Sequence, residues 1–358
     1  MRLKSVLNKL LPLSVRVSLF IHRSMDKVFV YGNTYRGHLL KSFEDYLPED
    51  ERNDEQLKKK LTTDIIESWI LYKALPYEYF LYDFRTKNKN ERSEFLTDCA
   101  RLDAIRRVSD QNVFLREVND KFQFYLKMKP YFKRNAFLFD ADTSRLDFSK
   151  FVMAATDIFV KPLKGAKGVG AFSYMVHSQS DADILYDRLR SDDSTESWIV
   201  EEKIIQSKEM SQWCSSSVNT VRIPSFLTKD GVKILKPFFR TGHEGSDVDN
   251  VSSGGVFAII DEDSGKIVSD GGGKLGHNVE RHPDSNLTFK GWQIPHWTDL
   301  LQIVSEVHRQ FPSQRYMGWD FAYTEQGWVL LEGNWGQMCD QYITKKGIKK
   351  DFLKYLNS

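Results

Sequence analysis

Two runs rich in apolar and aromatic residues, Gly318-Trp319-Asp320-Phe321-Ala322-Tyr323 and Trp328-Val329-Leu330-Leu331-Glu332-Gly333-Asn334, flank a short Thr324-Glu325-Gln326-Gly327 segment. Such runs about a Gly-containing turn predict a β-hairpin. This stretch constrains the chain most, because a hairpin fixes which side chains share a face. Glu332 and Asn334 are two apart on one strand and point the same way. Pairing Tyr323 with Val329 sets Asp320 opposite Glu332. Three oxygen donors, Asp320, Glu332 and Asn334, then converge on one patch of sheet. Mg²⁺ suits such a patch, since it takes one or two carboxylates and leaves the rest of its shell to water and phosphates. The hairpin therefore predicts a metal–nucleotide site.

A chain of 358 residues is long enough for two or three lobes with cores of their own. Its 41% hydrophobic and 28% charged content is that of an ordinary globular protein. A net charge of +2 gives no reason to expect nucleic acid as a partner. Cys99, Cys214 and Cys339 are odd in number and far apart, so they suggest neither a disulfide framework nor a zinc pattern. A reducing, cytoplasmic setting is the simpler reading. No run approaches the roughly 20 apolar residues of a membrane span. Residues 1–25 carry Arg2, Lys4, Lys9, Arg16 and Arg23 but no acid, interleaved with apolar residues. Pro12 and Arg16 break the apolar run and no small-residue cleavage site follows, which argues against a signal peptide. The segment is either a helix packed on its own domain with a basic outer face, the simpler reading, or a peripheral contact with the inner face of an anionic membrane.

Residues 1 to about 130 read as mostly helical. Pro48 and the acids of Glu49–Glu55 suit a helix start. Ile65, Ile66, Trp69, Ile70 and Tyr72 recur at helical spacing until Pro76 ends the run. The aromatic stretch Tyr77–Tyr82 reads as core or interface. From about residue 135 the character changes. Strand-like runs are expected at Asp157–Pro162, Phe172–Val176, Trp198–Glu202, Thr220–Leu227, Ile234–Phe239 and Gly255–Ile260, with helices at Ser180–Arg190 and Thr298–Phe311. Mixed strand and helix with frequent glycine turns is an α+β signature.

Two further motifs carry chemistry. Phe159-Val160-Lys161-Pro162-Leu163-Lys164-Gly165-Ala166-Lys167-Gly168-Val169-Gly170 is a strand that delivers a lysine, then a loop with three glycines and two more lysines. Glycines let backbone N–H groups approach an anion closely and lysines add charge, which suits polyphosphate. The loop has neither the Walker spacing nor the dinucleotide fingerprint, and an exposed hairpin turn is the plainer alternative. Trp198-Ile199-Val200-Glu201-Glu202-Lys203-Ile204-Ile205, with Glu209 beyond, is a strand ending in acids and backbone donors that can present an edge to adenine. Alone it is also an ordinary strand with an acidic end.

The order of these motifs, lysine, Gly-rich loop, acidic strand end, then Asp…Glu-x-Asn, resembles the ATP-grasp superfamily. Ser217-Val218-Asn219-Thr220-Val221-Arg222, Arg240…Asp249-Asn250…Gly254-Gly255 and His282-Pro283-Asp284 resemble its sugar-transfer-associated branch, whose members are associated with surface-polysaccharide biosynthesis. The resemblance covers residues 110–345. It implies an ATP-grasp domain over 111–358, with a Gly-rich lid lobe at about 135–200 and a metal-binding lobe at about 205–345, after a mainly helical region at 1–110. That helical region departs from the small α/β unit that usually precedes the fold.

The resemblance also implies roles. Lys161 looks like the strand lysine at the α/β-phosphates, and Lys121 like the second phosphate lysine, with a surface helix lysine as its alternative. Gly165, Gly168 and Gly170, with Lys164 and Lys167, look like the lid. Glu202, Lys203, Ile204 and Ile205 are the expected adenine hinge, reading the base through backbone groups, with Glu201 as the alternative one residue earlier, and Glu209 the ribose acid. Asp320, Glu332 and Asn334 look like Mg²⁺ ligands, with Mn²⁺ as the other metal. Arg222 and Arg240 are candidate catalytic arginines for a transferring phosphoryl group or a substrate carboxylate, or else structural ion pairs. His282 and Asp284 either position an acceptor or make a loop turn. The implied reaction is ATP-driven ligation of a carboxylate and an amine through an acyl phosphate, on a saccharide-linked substrate. A kinase acting on a sugar hydroxyl and a non-catalytic nucleotide-binding accessory are the rivals.

Overall fold

The structure, a computed structural model, describes residues 11–358 except 166–167, 193–194, 247–248, 250–253, 274 and 337. The chain forms two compact units, one of residues up to 107 with 344–354, the other of 108–343 with 355–358.

The first unit is helical. It contains α1 (Leu13–Arg23), a small hairpin of β1 (Phe29–Val30) and β2 (Asn33–Thr34), α2 (Tyr35–Tyr46), α3 (Glu55–Tyr72), α4 (Pro76–Leu81) and α5 (Asp98–Val108). The acidic run after Pro48 gives only a single helical turn, Glu49–Arg52. α3 then starts afresh because the Asp54 carboxylate caps it, accepting from Gln56 N and Leu57 N at 2.9 Å. It stops before Pro76, at Tyr72, where Lys73 takes a left-handed φ of 58°. Pro76 opens α4 instead, a position that needs no N–H. The aromatic stretch is core: Tyr79, Tyr82 and Phe84 are buried with Tyr35, Ile65 and Ile66.

In the second unit, α6 (Lys121–Phe132) leads into a sheet of four antiparallel strands in the order β3 (Ala136–Phe139), β6 (Trp198–Glu202), β4 (Asp157–Pro162) and β5 (Phe172–Met175). Two helices, α7 (Arg145–Ala155) and α8 (Gln179–Arg190), bury Phe148, Val152 and Leu185 against Ile158, Val160 and Val200 of that sheet. The Gly-rich loop is the connection between β4 and β5.

A larger antiparallel sheet of eight strands follows. Its strands are β7 (Thr220–Thr228), β8 (Gly231–Ile234), β9 (Phe238–Thr241), β10 (Val256–Ile259), β11 (Gly271–Gly272), β12 (Asn278–Val279), β13 (Tyr316–Thr324) and β14 (Gly327–Asn334). They lie in the order β12-β11-β10-β9-β7-β13-β14, with β8 on β7. The run Ile234–Phe239, expected as one strand, is the break between β8 and β9. Lys236 sits there at φ 51° beside Pro237, and neither residue suits a ladder. One face of this sheet is core. Val221, Ile223, Trp319, Phe321 and Leu330 pack with Leu300, Val304 and Val307 of α9 (Trp297–Arg309) and with Phe124 of α6. Each such side chain is worth about 1.5–3 kcal/mol of burial. The opposite face carries a polar strip, Thr220, Arg222, Arg240, Asp320 and Glu332, beside the buried Phe226, Phe238, Phe257 and Tyr316.

Candidate functional site

The polar face is set by strand alternation. Trp319 and Phe321 are committed to the core, so Asp320 points the other way. In register, Asp320 of β13 stands between Arg222 of β7 and Glu332 of β14, giving one row across three strands. Asn334, two residues on, pairs with Gly318 on the same face.

The facing of Asp320 and Glu332 is as expected, but by a different route. Tyr323 pairs with Trp328, not Val329, and Phe321 with Leu330. A β-bulge then makes Leu331 the additional residue and sets Glu332 opposite Asp320. With this sequence and no bulge, Asp320 would face Leu331, and Glu332 would turn to the core beside Trp319.

Both candidate arginines converge on the same carboxylate. Arg222 Nε donates to Asp320 Oδ1 at 2.5 Å, its Nη2 donates to Oδ2, and Nη2 lies 3.4 Å from Glu332 Oε1. Arg240 Nη2 donates to Asp320 Oδ2 at 3.0 Å and its Nε to Thr220 Oγ1 at 2.9 Å, with Asp249 Oδ2 3.3 Å away. Thr220 Oγ1 in turn donates to Asp249. Burial disfavours the charged form of Asp320, but Arg222 and Arg240 outweigh it and hold this carboxyl below the usual range. Glu332 goes the other way: burial, then the Asp320 charge, push its carboxyl up. Two facing acids of opposite tendency thus share the row.

Asn334 is held by its neighbours. Its Nδ2 donates to Glu332 Oε1 at 3.0 Å, and its Oδ1 accepts from Gly336 N at 2.6 Å. A Cβ on Gly336 would overlap both Asn334 Oδ1 and Arg222 Nη1. In kind the donors suit a hard divalent ion, two carboxylates and an amide oxygen on one patch, but Asp320 is held by two arginines and Asn334 Oδ1 by Gly336 N, which leaves Glu332 as the open donor. Among the described residues, no group of three or more His, Cys, Asp or Glu side chains could hold a metal ion. A Mg²⁺ here would therefore complete its shell from phosphate and water, which is its usual habit.

The smaller sheet supplies the cations. Lys161 of β4 and Glu201 of β6 share a face, and Lys161 Nζ meets Glu201 Oε1 at 2.5 Å. Arg134, just after α6, holds the other oxygen, with Nη2 at 2.5 Å and Nε at 2.9 Å. Burial opposes the Glu201 charge, yet Arg134 and Lys161 keep its carboxyl at about 2. Lys121 Nζ donates to Pro162 O and Leu163 O at 2.9 Å and to Gly165 O at 3.0 Å. It is therefore no surface lysine; it ties the start of the Gly-rich loop to α6. Burial and the Lys161 charge lower its pKa, while Glu332 and Glu201 act against them. The fold thus brings Lys121, Lys161, Glu201 and Glu332 into one electrostatic neighbourhood. Gly165, Gly168 and Gly170 all take positive φ, which explains glycine at these turns. Lys164 points away and pairs with Glu196 at 2.7 Å, both largely exposed. Lys167 lies outside the described residues.

At the strand end, the backbone of Glu201 and Glu202 is taken up by the ladders with β3 and β4. The Glu201 side chain is spent on Lys161 and Arg134, so it is not free to read a base. Glu202 accepts from Asn135 N and Nδ2 at 2.7 and 2.9 Å, and Lys203 N donates to Asp157 O at 3.0 Å. Ile204 and Ile205 are left to offer backbone groups, and the Ile205 side chain is 77% exposed. Glu209 is exposed in the one-turn helix Lys208–Ser211. His282 is not an acceptor-positioning group. It is buried, its Nδ1 accepts from Asp284 N and Ser285 N, and its Nε2 bonds Gly242 O at 2.9 Å. Asp284 accepts from Glu244 N at 2.8 Å, so both residues brace the loop after β9. Sequence reasoning missed Arg134, Thr220, Asp249 and Gly336 as parts of the site. Thr220 and Asp249 stood in recognised motifs without a role, and the only sign of Gly336 was its place two residues beyond Asn334.

Residues 118–352 match the family described as sugar-transfer associated ATP-grasp. No curated protein matches the chain in sequence. Among solved structures, the chain is similar to D-alanyl-alanine synthetase A from Vibrio cholerae, with 13% identity and a TM-score of 0.40 over 68% of this chain and 66% of that one. It is similar to D-alanine–D-alanine ligase from Helicobacter pylori, with 12% identity and a TM-score of 0.42 over 66% and 60%. A third is carboxyaminoimidazole ribonucleotide synthase from Aspergillus clavatus complexed with ATP, with 13% identity and a TM-score of 0.38 over 66% and 50%. The chain spans less than two thirds of the length of each.

Proposed function

The chain belongs to the sugar-transfer-associated ATP-grasp family, and on that premise we propose that it is an ATP- and Mg²⁺-dependent ligase joining a carboxylate to an amine. The observation that carries the reading is the Arg222–Asp320–Glu332 row across three strands, with the Glu332 charge acting on Lys121. In this reading Asp320, Glu332 and Asn334 hold Mg²⁺, which neutralises charge on the phosphate oxygens. Lys161 binds the phosphates, Lys121 anchors the Gly-rich loop beside them through the carbonyls of Pro162, Leu163 and Gly165, Ile204 and Ile205 offer backbone groups to adenine, and Glu209 binds ribose. Arg222 and Arg240 are fixed guanidinium forks beside the row, suited to the charge that develops on a transferring phosphoryl group.

A substrate carboxylate oxygen attacks the γ-phosphorus, the bond to ADP breaks, and an acyl phosphate forms. The amine nitrogen then attacks the acyl carbon, and phosphate leaves as the amine loses a proton. No protein nucleophile is needed; the protein's work is alignment, charge stabilisation and exclusion of water by the Gly-rich loop. The saccharide-linked nature of the substrate rests on the family description alone, and surface-polysaccharide modification is its natural setting.

The test is amine-dependent release of ADP and phosphate from ATP and Mg²⁺ across a panel of uronic acids and amino acids. Release that requires both acid and amine supports the ligase. Phosphate retained on a product formed without amine would make the protein a kinase, and nucleotide binding without turnover would make it an accessory.

A further inference from the structure

We propose that the helical first unit docks on an anionic lipid bilayer through α1, the β1–β2 hairpin and the cations beside them. This stands apart from the ligase reading. Residues 1–41 contain eight Lys and Arg against a single acid, Asp26. Taken out of the chain's 51 basic and 49 acidic residues, they leave the remainder net negative. Asp26 is already spent on Arg36, whose Nε and Nη2 meet it at 2.6 and 3.2 Å. Arg16, Arg23 and Lys27 form no ion pair among the described residues, and residues 1–10 contain no acid to pair with them.

Beside these cations stand protruding apolar side chains. α1 buries only Val17. It turns Val15 (41% exposed), Ser18 and His22 outward, while Arg16 and Arg23, seven apart, follow one flank. Phe29 on the short hairpin is 69% exposed, two residues from Lys27. Unpaired cations beside exposed apolar side chains are what an interfacial segment presents. The charges meet anionic headgroups, and the apolar groups enter the acyl boundary. Leu11, Tyr31 and Leu40 add exposed apolar surface in the same segment. Among the described residues no helix is long and apolar enough to cross a membrane, so any such contact is peripheral.

The experiment is cosedimentation of the full chain with phosphatidylcholine vesicles, with and without phosphatidylglycerol. The expected result is binding to the anionic vesicles only, falling with added salt. Arg16→Glu with Arg23→Glu should weaken it by at least about tenfold. Phe29→Ser should weaken it several-fold at unchanged charge. Circular dichroism and thermal melting, measured alongside, should be unchanged in all variants and so report intact folding. Equal binding to neutral vesicles, indifference to these substitutions, or no binding to anionic vesicles overturns the proposal. Capture by a soluble polyanion with no effect of Phe29→Ser also overturns it, and reassigns the patch to an acidic macromolecule.

Discussion

Gly336 is the residue on which the candidate site closes. Its N–H holds Asn334 Oδ1, and its lack of a side chain admits Arg222 beside it. Gly336→Ala must move both, at a cost of about 1–3 kcal/mol for such overpacking. The expected outcome is roughly a 5- to 100-fold loss of Mg²⁺-dependent ATP affinity by calorimetry with unchanged circular dichroism, and an unaltered affinity would contradict it. Glu201 is the counterpart in the smaller sheet. Glu201→Gln keeps the shape but leaves Arg134 and Lys161 without their counter-charge. Breaking a buried pair of this kind costs about 3–5 kcal/mol. Thermal melting should register that loss, and a shift under about 1 kcal/mol would show the pair to be incidental.

At the scale of elements, the Gly-rich loop is tied down by one ammonium. Three carbonyls of residues 162–165 converge on Lys121 Nζ at the start of α6. Lys121→Ala should therefore speed amide hydrogen exchange around residues 163–165 in the nucleotide-free protein. No change there would mean that the strands alone hold the loop. The hairpin of β13 and β14 shows how far the sequence is legible. Alternation and turn chemistry identify both strands, but the facing of Asp320 with Glu332, expected from a Tyr323–Val329 pairing, comes instead from a Tyr323–Trp328 pairing and a bulge. The bulge is hidden, because Leu330 and Leu331 are both apolar and period two does not say which of them is additional. Composition likewise reads Ile234–Phe239 as one strand, where Lys236 and Pro237 break the ladder. Ala136–Phe139 is too short to stand out, although it forms β3. The Arg134–Glu201 pair spans 67 positions and has no local signature at all.

For the second unit as a whole, the core itself titrates. His308 of α9 is fully buried, with Nε2 bonded to Gln314 O at 2.9 Å and Nδ1 to Ser225 Oγ at 2.8 Å. Burial pushes its pKa down to about 4. The unfolded chain binds a proton at this residue below about pH 6.5, and the folded chain resists until about 4. The stability involved is fully present above about pH 6.5 and is lost as pH falls toward 4, amounting to about 3 kcal/mol. Urea melts between those pH values should show this slope, and His308→Gln should flatten it. A slope that persists in the variant would assign it elsewhere.

In the proposed function, the Asp320–Glu332 row is where metal and nucleotide meet. Asp320→Ala is a poor probe, because it would leave Arg222 and Arg240 buried without their shared anion. Glu332→Gln is cleaner, since it removes one donor charge and preserves shape. The decisive measurement is ATP binding by isothermal calorimetry, with and without Mg²⁺, for the unaltered protein and for Glu332→Gln. Mg²⁺ should strengthen binding in the unaltered protein, and the substitution should abolish this gain while metal-free binding stays the same. A Mg²⁺ gain of equal size in both proteins would contradict it.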